Sequence, residues 1–376
     1  MTPEEIELLS ELTIVIPTYN RPLDLERSIE YWRDIPVTVH ILDGSEKPWF
    51  SVDSLKSVPK ITYHHMPAMK NQTSMENLFQ RILFGSKLPT TNFSAVVCDD
   101  DFYTISCLIA SLRTLVSQFN VDAVAGRVAS YEWKHNQLKW SMYYNFSPQD
   151  AALSPWLQTR AERSRDWFLY AICRTDVWGK FLRASYEERS FSKLNFGGHE
   201  WMVFLLSLAM FRTVFLEPIF LVRQKTIHGR NVGPRIEWNA WLAENEESEP
   251  VKELVEHLAE SFRQFSSEQE LLNHREYAHF FIQREIRSFR KSKSTQEKPF
   301  LIRLKRALSS EFKRLNRKLT IRIAPLEKRV RRVPNRTENF IEDLKTLGYL
   351  KESSDIIAVC EVLMKPREEL RLRADI

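Results

Sequence analysis

Glycine is scarce, with 9 residues in a chain of 376. The four cysteines, Cys98, Cys107, Cys173 and Cys360, form no CxxC pair and no zinc spacing. That usage fits a reducing compartment. The longest apolar stretch, "MVFLLSLAMF" at 202–211, is too short to span a bilayer and reads as a buried helix. The opening "MTPEEIELLSEL" is acidic and lacks the charged-then-apolar order of a signal peptide. The expected location is cytoplasmic, or peripheral on the inner face of a membrane. No GxxxxGK[ST] occurs, which excludes a P-loop enzyme, and no GxGxxG follows the first strand, which weakens a dinucleotide reading. Internal repeats and long low-complexity linkers are also missing.

What is present is a globular composition: 43% apolar, 27% charged and 12% aromatic. The length leaves room for two domains. The net charge of +5 conceals an asymmetry. Between Arg284 and Arg336 stand 19 Lys/Arg against 4 Asp/Glu, a net of +15, so the remainder sums to 5 − 15, or −10. A mildly acidic body carries a strongly basic segment.

The first 230 residues alternate strand and helix signals. Strands are expected at 12–17, 37–43, 61–65, 93–98 and 121–126, with helices at 21–34, 71–85 and 104–119. This pattern predicts an α/β fold with a mostly parallel sheet. A hairpin is expected around His135–Asn136, and a strand pair or bent strand at 213–224. From about 238 the chain reads helical. "RKSKSTQEKP" at 290–299 is the best candidate boundary.

In open α/β sheets, ligands sit at the carboxyl ends of strands. Three such ends carry polar signals: "PTYNR", "LDGS" and "CDDD". The acid at the second could accept hydrogen bonds from a ribose or base. The triplet Asp99, Asp100 and Asp101 could hold a divalent cation, since Mg²⁺ and Mn²⁺ favour hard oxygen ligands. In an extended segment, residues i and i+2 point the same way. Asp99 and Asp101 would then converge while Asp100 faces elsewhere. The plain alternative is a solvated acidic helix N-terminus. Asp43 could equally be a turn residue, and Asn71 an N-cap.

The succession "TIVIPTYNRP", "ILDGS", "NQTSMENL" and "VVCDDDFY" resembles the family 2 glycosyltransferases of GT-A fold, over roughly residues 10–230. The resemblance implies a Rossmann-like mixed sheet, set at 10–238, and the helical reading beyond it gives a C-terminal extension at 239–376. Pro17, Thr18, Tyr19 and Arg21 would line the nucleotide pocket, with Asp43 on the base or ribose. Asn71 and Asn77 would contact the donor. Asp99 would face the ribose side, and Asp101 would ligate Mn²⁺ or Mg²⁺ on the diphosphate. Asp99 is a second candidate ligand, and Asp100 a further donor contact whose part is undecided. In "GGHEW", Glu200 would be the catalytic base, assisted or replaced by His199, although the family's usual pair is Glu-Asp. His228 is a candidate third metal ligand, and Arg230 a diphosphate contact.

The implied activity moves a sugar from a nucleotide-diphosphate donor to a glycan or glycolipid hydroxyl, with inversion. A nucleotidyltransferase would also use paired acids and a metal, and a non-catalytic membrane or polymer adaptor is a third possibility. In 298–319, Leu301, Leu304, Leu308, Phe312, Leu315 and Leu319 form an apolar stripe flanked by basic residues. Such a helix suits an anionic membrane surface, a face packed on the protein, or an oligomer contact. No nucleic-acid motif accompanies it, and no nucleic-acid partner is expected.

Overall fold

Seven residues, Leu12–Thr18, form a central strand of the sheet, and five in succession are buried. A strand covered on both faces reads as a continuous apolar run, which is what "LTIVI" supplies. The computed structural model describes residues 1–49, 55, 58–134, 137–143, 170–186, 196–224, 232–265, 274–296, 335–346 and 350–364.

In chain order the elements are α1 (Pro3–Ser10), β1 (Leu12–Thr18), α2 (Pro22–Trp32), β2 (Thr38–Asp43), β3 (Ile61–His65), α3 (Ser74–Gly85), β4 (Phe93–Val96), β5 (Asp101–Tyr103), α4 (Ile105–Ser117), β6 (Ala123–Lys134), β7 (Gln137–Tyr143), β8 (Ile172–Arg174), α5 (Thr175–Tyr186), α6 (Phe196–Met210), β9 (Thr213–Gln224), α7 (Val232–Glu244), α8 (Glu249–Phe265), α9 (His274–Gln296), β10 (Asn335–Arg336), α10 (Thr337–Thr346) and α11 (Leu350–Met364).

Among the described residues ten strands form one mixed sheet, ordered β10-β7-β6-β8-β4-β1-β2-β3, with β9 beside β6 and β5 on β9. Strands β3, β2, β1 and β4 are mutually parallel. From β8 onward the pairings are antiparallel, except that β9 runs parallel to β6. The mixed sheet that the resemblance implied is met, whereas the mostly parallel sheet expected from the strand–helix alternation holds only for β3, β2, β1 and β4 and for β9 against β6. The hairpin closes where expected, with Lys134 opposite Gln137. The stretch 213–224 is a single strand whose register against β6 shifts around Gly126 and Arg127, so it bends rather than splitting in two.

Alternate residues of the central strands feed two cores, as a period of two requires. Ile14, Ile16, Val39, Ile41, Ala95 and Val97 face one core. Val15, Leu42 and Val96 face the other, with α3, α5 and α6. Helices α7, α8 and α9 share that second core through Trp238, Leu258, Phe262, Phe281 and Ile286.

The C-terminal pair α10 and α11 returns to the opposite face. Phe340, Leu344, Ile356 and Val359 are fully buried in the first core. Phe340 stacks on Trp140 at 5.4 Å between ring centroids, and Trp140 Nε1 donates to Thr337 Oγ1 at 3.1 Å. Asp355 accepts hydrogen bonds from the Ser106 backbone N–H and hydroxyl at the start of α4. No helix among the described residues is long and apolar enough to cross a membrane.

Candidate functional site

Strand β1 ends in Thr18 and β2 in Asp43, and the chain leaving β4 carries the acid triplet. Because β2, β1 and β4 run parallel, these ends share one edge of the sheet. The strand expected at 93–98 stops at Val96. The Asp101 N–H then donates to the Cys98 carbonyl at 3.2 Å, closing a turn. Strand β5 follows, pairing antiparallel with β9 and setting Asp101 opposite Arg223.

That turn removes the extended geometry on which the convergence of Asp99 and Asp101 depended. Asp99 faces β1 instead. Its Oδ2 accepts from the Thr18 hydroxyl at 2.6 Å and its Oδ1 from Arg21 Nη1 at 2.7 Å. The ligand atoms that come together, within 4.8 Å of one another, belong to Cys98, Asp100 and Asp101.

Arg21 precedes α2 with non-helical backbone angles, and its guanidinium fans out over three carboxylates. Nη1 reaches Asp99, Nη2 reaches Asp100 at 2.6 Å, and Nε reaches Asp24 at 3.1 Å. Arg27 approaches the other Asp24 oxygen at 3.3 Å. Asp101 accepts from the Gln224 N–H at 3.3 Å. Its buried Oδ2 accepts no hydrogen bond and faces Arg223 Nε at 3.6 Å.

The positive charge that permits three adjacent acids is thus arginine, at least in part. Burial still pushes Asp99 up to about 7, with Arg21 and Thr18 pulling it back. Burial also raises Asp101 well above the usual carboxylate range; Asp100 adds to the rise and Arg223 opposes it. Burial lowers the Arg21 pKa, and its carboxylate partners more than offset this, leaving it raised.

Asp100 and Asp101 present hard oxygen donors a few ångströms apart, and the orphaned Asp101 Oδ2 is the atom a cation would satisfy. This donor set fits Mg²⁺ or Mn²⁺. Cys98 fits poorly, since burial and the neighbouring acids hold its thiol protonated.

Beside the acids lies a pocket of about 340 Å³, lined in part by Thr18, Asn20, Arg21, Asp43, Ser45 and Trp49. Asn20 adopts φ 53, the left-handed region that Asn tolerates. Its N–H donates to Ser45 Oγ at 2.8 Å, tying the loop after β1 to the loop after β2. Asp43 is buried. It accepts from the Ser45 N–H at 2.8 Å and from the Ser45 hydroxyl at 2.5 Å. Tyr63 donates to its other oxygen at 2.6 Å, and the Trp49 N–H donates in turn to Tyr63. Asp43 therefore organises this wall, whatever else it contacts.

Arg81 was not singled out from the sequence. It is 5% exposed, and its Nε and Nη1 have no hydrogen-bond partner. Its guanidinium lies 5.8 Å from the Tyr19 ring centroid. A Cβ on Gly44 would stand 1.7 Å from Nη1. Burial lowers the Arg81 pKa, while Asp43 and Tyr19 favour the charged form. A buried cation with unsatisfied donors is costly unless something anionic or carbonyl-bearing meets it. The one sequence signal was its i,i+4 spacing from Asn77 on α3.

The remaining candidates divide. Pro17 is half-buried in β1, and Tyr19 is exposed. Asn77 is spent on its own loop. It accepts from the Met69 N–H and donates to the Met69, Gln72 and Thr73 carbonyls. Asn71 is exposed, and the N-cap of α3 is Thr73, which forms a capping box with Glu76. His199 and Glu200 lie near the start of α6, with their side chains outside the described residues. His228, Arg230 and the amphipathic stretch 298–319 also lie outside them.

No protein-family model matches the chain, and no curated protein matches it. Among solved structures, the chain is similar to a crystal structure of S. aureus TarS, residues 1–349. The identity is 13% and the TM-score 0.41, over 76% of this chain and 92% of that one.

Proposed function

We propose that the chain is a glycosyltransferase acting on a nucleotide-diphosphate sugar. One observation carries the reading. A buried acid cluster with an orphaned carboxylate oxygen and a pocket lined by Thr18, Arg21 and Asp43 meet at the carboxyl edge of one sheet. The pocket between β1 and β2 suits a nucleoside, with Thr18, Asp43 and Trp49 among its lining residues; Arg81, buried beside Gly44, would be a further contact. The acid turn suits the diphosphate.

Mn²⁺ or Mg²⁺ would be held by Asp100 and Asp101. When bound, it would neutralise the charge that develops on the leaving diphosphate. Glu200 removes the proton of the acceptor hydroxyl. The acceptor oxygen then forms its bond to the anomeric carbon as the bond to the diphosphate oxygen breaks, with inversion. The acceptor is a glycan or lipid-linked hydroxyl. The net charge of +15 over 284–336 suits an anionic surface that would present such a lipid.

The test is release of nucleoside diphosphate from a panel of nucleotide sugars. At least one donor should turn over in Mn²⁺ or Mg²⁺ and stop in EDTA. Turnover of none, with an intact fold, contradicts the reading.

A further inference from the structure

Arg21 is bonded to Asp24, Asp99 and Asp100 at once. Two roles therefore fall on one carboxylate. Asp100 is the partner of Arg21 Nη2, and it belongs to the group whose ligand atoms lie within 4.8 Å of Asp101. A guanidinium and a divalent cation on the same carboxylate repel each other. The Arg21 side chain is 39% exposed and lines the pocket, so its fork has both the acids and the pocket within reach. A guanidinium matches phosphate oxygens as well as carboxylates.

We propose that Arg21 is the resident counter-ion of this site and competes with a divalent cation for Asp100, leaving the acids to the cation when a diphosphate draws the guanidinium away. The diphosphate half rests on the nucleotide-sugar reading; the competition for Asp100 does not. Coupling is reciprocal. Cation and nucleoside diphosphate should each tighten the other, and part of that coupling should vanish without Arg21.

The direct test titrates Mn²⁺ alone, following free Mn²⁺ by electron paramagnetic resonance. Arg21→Gln is expected to bind Mn²⁺ about tenfold more tightly than wild type. Arg21→Lys keeps the charge but has one nitrogen in place of the three that reach Asp24, Asp99 and Asp100, and it too should bind more tightly than wild type. A Lys variant equal to wild type reduces the effect to charge acting through space and overturns the competition. So does a gain that survives in Arg21→Gln/Asp101→Asn, since the ion would then sit elsewhere. Should the Gln variant not fold, the Lys variant and its own Asp101→Asn double variant decide. A second titration adds UDP or GDP. If neither binds any of the proteins, the nucleotide reading fails, and the Mn²⁺ comparison still decides the competition.

Discussion

Gly44→Ala tests whether Arg81, buried beside Gly44, contacts the nucleotide. The backbone of Gly44 lies outside the left-handed region, so alanine fits the chain locally. The added Cβ, however, would stand 1.7 Å from Arg81 Nη1 and 2.3 Å from Cζ. Arg81 must leave its place beside Gly44. The replacement itself gains about 0.4–1 kcal/mol through the unfolded chain, which offsets part of that shift, so the melting temperature should change little.

Ligand affinity should change much more. A hydrogen bond to a charged donor contributes about 1.5–3 kcal/mol, equivalent to roughly 10- to 150-fold in Kd. Calorimetric titration with the nucleoside diphosphate of the active donor should show that loss in Gly44→Ala and in Arg81→Met. The double variant should be no worse than Arg81→Met alone, because the glycine acts only through the arginine. Additive losses, or Gly44→Ala binding within about threefold of wild type, would refute this account of Arg81.

Glu200→Gln should lose turnover by at least about 100-fold while keeping donor affinity; a collapse of donor affinity would remove it from the base role. His40 Nδ1 and His64 Nε2 lie 3.2 Å apart, and burial holds both pKa values below the ordinary one, with His64 further disfavouring a charge on His40. Below about pH 6.5 the unfolded chain therefore takes up these protons before the folded one does. Stability is full above that pH and falls as the pH drops towards the folded values. Denaturation between pH 7.5 and 5 should show a shallower decline in the double His→Asn variant, and an unchanged slope would dismiss the pair. Phe340→Ala removes a fully buried ring stacked on Trp140 and should cost about 3–5 kcal/mol in urea unfolding. A cost below about 1 kcal/mol would mean that α10 contributes little to the first core.

Much of the sheet was legible because β-branched runs leave a local mark. "LTIVIP", "VTVHILD" and "ITYHH" are such runs, and each is a strand where expected, with β1 running on through Pro17 to Thr18. The edge that gathers Thr18, Asp43 and the acid triplet was legible too, since parallel strands deliver their carboxyl ends to one side. The interior of the site was not. Whether Asp99 or Asp100 joins Asp101 depends on a turn closed by one backbone hydrogen bond at Cys98, and "VVCDDDFY" reads as extended in the linear chain. Arg21 and Arg223 reach the acids through folded contacts between residues far apart in sequence. Asn77 resembled a donor contact because its type and place matched, whereas its hydrogen bonds are spent on residues 69–73. The return of α10 and α11 to the first core was equally hidden. The helical periodicity of 337–364 reveals a buried face but not which surface buries it.

The central claim is that the acid turn and the adjoining pocket together bind a nucleotide-diphosphate sugar. The most direct measurement is thermal unfolding of wild type and Asp101→Ala against a panel of nucleotide sugars, with and without Mn²⁺. The account expects one donor to raise the wild-type melting temperature strongly, more so with Mn²⁺, and the Mn²⁺-dependent increment to vanish in Asp101→Ala. A panel that leaves the wild type unmoved, or a donor whose Mn²⁺ increment survives the loss of Asp101, would contradict it.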